Sequence, residues 1–132
     1  MKNKAENKQL EKIITVSGWA VELVVGNIDE KTAMEIELES TGIKVKGNCI
    51  IQELLPLQKT MLELIESERS SVELNLSGIE AIDTAGIQLL AVCRNNALEK
   101  GKTFRISAES EAVREALRIT GLESLFEDSK KD

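Results

Sequence analysis

Asp83-Thr84-Ala85-Gly86 is the stretch of this chain whose residue types and spacing could carry chemistry. It follows an apolar run and opens a segment with helical periodicity. An acidic or hydroxyl side chain just before a helix accepts a free amide of the first turn, worth about 1 kcal/mol. The Thr84 hydroxyl has a second use. A phosphate on it would add about −1.5 to −2 charges beside the positive end of a helix. Such a group would leave the helix standing and change the surface around it, which suits a docking switch. Ala85 and Gly86 are small and would let another protein's backbone approach. Ile87 is expected at the exposed mouth of that surface.

Other chemistries are short of residues. The 132-residue chain has no histidine, so no Ser-His-Asp triad, Cys-His pair or histidine metal ligand can form. Cys49 and Cys93 stand far apart, without a CxxC or zinc spacing. Cys93 lies in an apolar run and reads as an inert core thiol. No spacing singles out a catalytic carboxylate pair, and there is no Walker loop or GxGxxG. Glu109 and Glu111 flank a helix start, where they favour its dipole. No catalytic residue, metal ligand or cofactor site is therefore assigned. The 23 Asp plus Glu outnumber the 17 Lys plus Arg for a net charge of −6, and aromatics are 2%. That balance argues against nucleic acid and against acidic membranes as partners.

The elements that must position Thr84 follow from periodicity. The length suits one core. Met34, Ile36 and Leu38 alternate with Glu35, Glu37 and Glu39, the pattern of a half-buried strand. Ser40-Thr41-Gly42 reads as a turn, after which Ile43 and Val45 alternate with Lys44 and Lys46. Folded as a hairpin, the glutamates lie beside the lysines on a solvated face. Leu54, Leu57, Met61, Leu64 and Ile65 predict a helix whose regular part begins near Gln52–Leu55, since Pro56 fits only its first turn. Val72, Leu74 and Leu76 mark a strand over 70–76, with Ser77-Gly78 as its break and 77–82 as a loop. A second helix is expected from about Ala85 to Glu99, a strand at 103–107, and a third helix capped by Ser110 and stopped by Gly121. Leu122–Phe126 reads as a short amphipathic piece.

The N-terminal stretch is ambiguous. Leu10, Ile13, Ile14, Ser17, Val21, Val24, Val25 and Ile28 share a helical face, yet Trp19, Val21, Leu23 and Val25 alternate as in a strand after Ser17-Gly18. Helix and hairpin both remain open for 10–28. A polar, lysine-containing 1–12 before an apolar 13–25 mimics a secretion signal, but Glu22 interrupts the run and it is too short to span a bilayer. It reads as folded protein without direct membrane insertion. Without a disulfide framework, a reducing cytoplasm is the expected location. Hairpin, helix, strand, helix, strand, helix is the order of an α/β sandwich with a mixed sheet and right-handed crossovers.

LNLSGIEAIDTAGIQLLAVCRNNALEKGKTFRIS followed by VREALRITGLESLF resembles a STAS domain, the fold of bacterial anti-sigma factor antagonists. Three features carry the resemblance: a strand ending hydrophobic-polar-hydrophobic-Ser-Gly, Asp-Thr-small-Gly opening a helix, and a late Thr-Gly-Leu-x-x-Leu-Phe. It divides the chain into an N-terminal extension at 1–32, a STAS domain at 33–127 and a polar tail at 128–132. The resemblance implies a STAS-type α/β sandwich and a non-enzymatic regulatory protein-interaction module without cofactor. It implies phosphorylation of Thr84 by a serine/threonine kinase-type anti-sigma factor, with phosphate blocking the contact. Asp83, Thr84, Ala85, Gly86, Ile87 and Asn48 then belong to the partner surface. The Thr-Ala-Gly variant is also similar to STAS proteins of chemotaxis clusters and to the STAS subunit of lipid-transport ABC complexes, which docks on an ATPase. Some STAS domains bind nucleotides or lipids, but no residue here marks such a pocket. The family often has Gly-x-x-Asp before the first sandwich helix and Asp-hydrophobic-Ser at the end of the strand; here Gly47-Asn48-Cys49-Ile50 and Asn75-Leu76-Ser77 lack both carboxylates. The extension could contribute a dimer contact through residues 10–28.

Overall fold

In the computed structural model, residues 12–16, 19–26 and 34–126 are described. The polar tail at 128–132 lies outside them. The elements run β1 (Lys12–Val16), β2 (Trp19–Gly26), β3 (Glu35–Leu38), β4 (Gly42–Cys49), a 3₁₀ turn (Ile51–Glu53), α1 (Leu54–Glu66), β5 (Ser71–Asp83), α2 (Thr84–Glu99), β6 (Thr103–Glu109) and α3 (Glu111–Thr120). The strands form one sheet in the order β1-β2-β5-β4-β3, with β6 also on β5. β3 and β4 are antiparallel, and β4, β5 and β6 are parallel. This is the mixed sheet with an antiparallel hairpin and helix-joined parallel strands that the periodicity predicts.

The ambiguous N-terminal stretch is two strands, not a helix. β1 and β2 pair antiparallel from Lys12↔Val24 to Val16↔Trp19, and β2 pairs antiparallel with the end of β5. The β-branched residues of this stretch suit a strand better than a helix.

The core lies between the sheet and the helices. Ile43, Val45, Val72, Leu74, Leu76, Phe104 and Ile106 meet Leu57, Met61, Ile65, Leu90, Cys93 and Val113 in one buried cluster. Phe104 and Phe126 meet with ring centroids 6.2 Å apart and planes tilted by 46°. Successive right-handed crossovers from β4 to β5 to β6 advance in one direction, which places α1 and α2 on the same face. The other face carries the charged ladder. Lys46 pairs with Glu37 at 3.2 Å and with Glu35 at 3.7 Å, and Arg105 pairs with Glu73 at 3.3 Å. These exposed pairs fix register and add little stability.

The turn before β4 is closed by Glu39 and Gly42, each donating its amide to the other's carbonyl. Gly42 is buried flush against β5. A Cβ there would lie 1.8 Å from the Glu73 carbonyl oxygen, so only glycine allows β4 to begin at this point.

β5 departs from the expected strand over 70–76. It continues through Ser77-Gly78 to Asp83, so residues 77–82 are strand rather than loop. The registers show how. From Lys44↔Asn75 to Lys46↔Gly78 the partner advances two residues and β5 advances three; from Gly47↔Ile79 to Asn48↔Ala81 the steps are one and two. Two β-bulges thus keep β5 in the sheet while breaking its alternation.

Candidate functional site

Thr84 is the first residue of α2, and the residue before it organises the whole neighbourhood. Asp83 is the helix N-cap, with extended backbone, and its Oδ1 accepts the Gly86 amide at 2.9 Å. Its Oδ2 accepts the Ile51 amide at 2.9 Å, which ties the 3₁₀ turn before α1 to the start of α2. Asp83 is 2% exposed. A buried carboxylate is tolerated here because both oxygens accept backbone amides, each of which would otherwise be an unsatisfied donor. Asp83 thus supports the surface from beneath, rather than lying on it as a partner contact.

The other expected site residues divide in the same way. Thr84 and Ala85 are partly exposed, whereas Gly86, Ile87 and Asn48 are buried. Ile87 is 3% exposed and joins the core cluster, so the expectation of an exposed Ile87 is corrected. Gly86 serves this chain's own packing. A Cβ on it would stand 2.5 Å from the Cys49 carbonyl oxygen, 2.9 Å from Ile82 Cγ1 and 3.0 Å from Cys49 Sγ. The small residue lets α2 begin directly against the end of β4. Asn48 sits under the same junction, paired across the ladder with Ala81.

The two thiols lie beneath this junction and in the core. Burial pushes the Cys49 thiol up to about 12, and the negative charge of Asp83 adds to the shift. Burial pushes Cys93 up to about 11. Both stay protonated at neutral pH, which keeps them from acting as nucleophiles. Among the described residues, no group of three or more His, Cys, Asp or Glu could hold a metal ion. No helix among them is long and apolar enough to cross a membrane.

Ala85 opens onto a feature that sequence reasoning missed. An open groove of about 430 Å³ runs between the start of α1 and α2, lined by Ile51, Leu54, Leu55 and Gln58 on one side and Ala85, Gln88, Leu89 and Val92 on the other. No lining residue is charged. Ile51, Leu55 and Val92 are 62%, 65% and 53% exposed. The signal was present in the spacing. Ile51 and Leu55 recur at i and i+4, off the face of Leu57, Met61, Leu64 and Ile65 that enters the core.

The profile of the family described as "Mlab, STAS domain" matches residues 32–127. The chain belongs to the STAS-domain family. No curated protein matches it. Among solved structures, it is similar to the crystal structure of an anti-sigma factor antagonist from Mycobacterium paratuberculosis. The TM-score is 0.58 and the identity 21%, over 71% of this chain and 81% of that one. At that identity the likeness speaks for the fold, which is the STAS fold.

Proposed function

We propose that this chain is a non-enzymatic regulatory module that binds a protein partner through the surface around Thr84 and is switched by phosphorylation of Thr84. One observation carries the reading. Thr84 is a partly exposed residue at a helix N-terminus capped by Asp83, and its neighbour Ala85 borders an uncharged apolar groove. A phosphate on Thr84 would place about −1.5 to −2 charges beside a surface that otherwise suits an apolar partner. An anti-sigma factor or another serine/threonine kinase-type protein fits this reading, in a cytoplasmic setting.

A second reading keeps the same surface without the phosphate: docking on an ABC-transporter ATPase or a chemotaxis signalling partner. The neutral groove favours it, because contact there needs apolar complementarity and no charge. A nucleotide or lipid sensor has less support, since the groove is open and carries no charged side chain to orient a headgroup.

Intact-mass measurement after incubation with ATP and an anti-sigma-type kinase tests the first reading. One phosphate is expected on the wild type and none on Thr84→Ala. Labelling that persists in Thr84→Ala rejects the site. If no such kinase labels the chain, yet Thr84→Glu abolishes capture of an ABC ATPase, the second reading replaces the first.

A further inference from the structure

The edge of β5 is shared between two strands. β6 pairs with its first part, from Ser71↔Thr103 to Leu76↔Glu109. β2 pairs with its last part, through Val24↔Asp83, Val25↔Ile82 and Gly26↔Ala81. Among the described residues, those three rungs are the whole ladder between the N-terminal hairpin and the rest of the sheet, because β1 pairs with β2 alone. The matched family region begins at residue 32, so the hairpin lies outside that match.

The third rung ends on Asp83. That residue's main chain pairs with Val24 of β2, while its side chain holds the Ile51 and Gly86 amides. Three elements therefore meet at the residue before Thr84: the hairpin through the backbone, the 3₁₀ turn and α2 through the carboxylate. β2 also lies against α2 and α3, but a ladder of three rungs is short enough to open locally, without global unfolding.

We propose that the β1–β2 hairpin is a strap on the Thr84 surface, closed when Thr84 is uncharged and released by negative charge at that position. A charge on Thr84 stands one residue from the Asp83 carboxylate and repels it, which works against its hold on Ile51 and Gly86. Loosening Asp83 weakens the last rung of the β2 ladder. Release of the hairpin in turn frees the backbone of Asp83, and the two effects must be equal by linkage. The charge arm of this proposal rests on the reading of Thr84 as a charge switch. The coupling between hairpin and helix start does not.

Amide hydrogen exchange on the full chain tests both arms. Val24→Pro and Val25→Pro are made separately. Adjacent residues of an antiparallel strand direct their N–H groups to opposite neighbours, so one of the two removes a bond to β5. That variant is expected to exchange about tenfold faster at the Ile51 and Gly86 amides, with Leu74 and Ile106 unchanged. Unchanged protection at Ile51 and Gly86 in both variants makes the hairpin a passive cover and overturns the proposal. Loss of protection throughout the chain overturns it too, because a strap must open without unfolding the domain. In the second arm, Thr84→Glu carries no proline and is expected to speed exchange at the Val24–Gly26 amides several-fold. No change there overturns release by charge. Neither arm needs a kinase, so failure of the strap and failure of phosphorylation are read separately.

Discussion

From Ser71 to Leu76, β5 alternates buried and half-buried side chains between two parallel neighbours, β4 and β6. From Ala81 to Asp83 it buries three residues in succession, between β4 and the antiparallel β2. The first end is scaffold: Val72, Leu74 and Leu76 point into one core, and the opposite face is solvated. The second end is a junction, where strand, helix start and 3₁₀ turn converge on one carboxylate. The two bulges between Asn75 and Ala81 separate the regimes, since they re-aim the side chains that follow. The packed scaffold and the proposed partner surface thereby lie at opposite ends of one strand, and substitutions should sort accordingly.

The largest loss is expected at the scaffold end. Leu74 is fully buried. Leu74→Ala removes its contacts and leaves a cavity, at a cost of about 2–5 kcal/mol. Urea denaturation checks this, with the midpoint falling and the slope retained. A loss under about 1 kcal/mol would mean that this half of β5 is not the packed centre.

The junction should come next. Asp83→Ala deletes an N-cap and takes the acceptor from the part-buried Ile51 amide, so about 2 kcal/mol is expected. Ser110 provides the control. It caps α3 through one bond, the Val113 amide at 3.2 Å, so Ser110→Ala should cost about 1 kcal/mol. Equal losses at the two caps would show that the Ile51 bond contributes nothing.

These contrasts explain which parts were legible in the sequence. The alternation of Met34–Glu39 and Ile43–Lys46, the periodicity of α1 and the stop at Gly121 are local patterns, and the elements follow them. Gly121 has the left-handed conformation, with φ of 76°. Thr84 and its neighbours were legible as a candidate site because a polar residue between a strand and a helix start stands out. What failed was non-local. Ser77-Gly78 punctuates the chain as a turn would, but pairing with β4 keeps it in the sheet. The hairpin at 12–26 satisfies both a helical and a strand period, and only its partners decide. Ile87 looked exposed because a helix start gives no hint of which side the sheet lies on. Asp83 looked like a surface residue because its second partner, Ile51, is 32 residues away.

Gly86 separates local preference from packing. Glycine to alanine within a helix ordinarily stabilises by about 0.5–1 kcal/mol. Here the added Cβ would press against the Cys49 carbonyl at 2.5 Å, which is backbone and cannot step aside cheaply. Gly86→Ala should therefore destabilise, by about 1–2 kcal/mol. It should also tilt the start of α2, visible as shifted amide resonances at Thr84–Ile87. A gain in stability would mean that the α2–β4 approach is looser than its distances indicate.

The smallest effect on stability is expected in the groove, and it separates docking from folding most cleanly. Leu55 is 65% exposed and stands on the same helix as Leu57, which is 1% exposed. Leu55→Gln should shift stability by no more than about 0.5 kcal/mol, because little of its area is buried on folding. A shift of about 2 kcal/mol would mean that the groove is closed by the chain itself. With the fold intact, the same variant reports on the partner surface. Thr84→Glu changes charge at one end of the groove and Leu55→Gln changes apolar area inside it. If both weaken capture of the same ATPase or kinase, switch and groove form one surface. If only Thr84→Glu does, the partner reads the helix start and the groove is outside the contact.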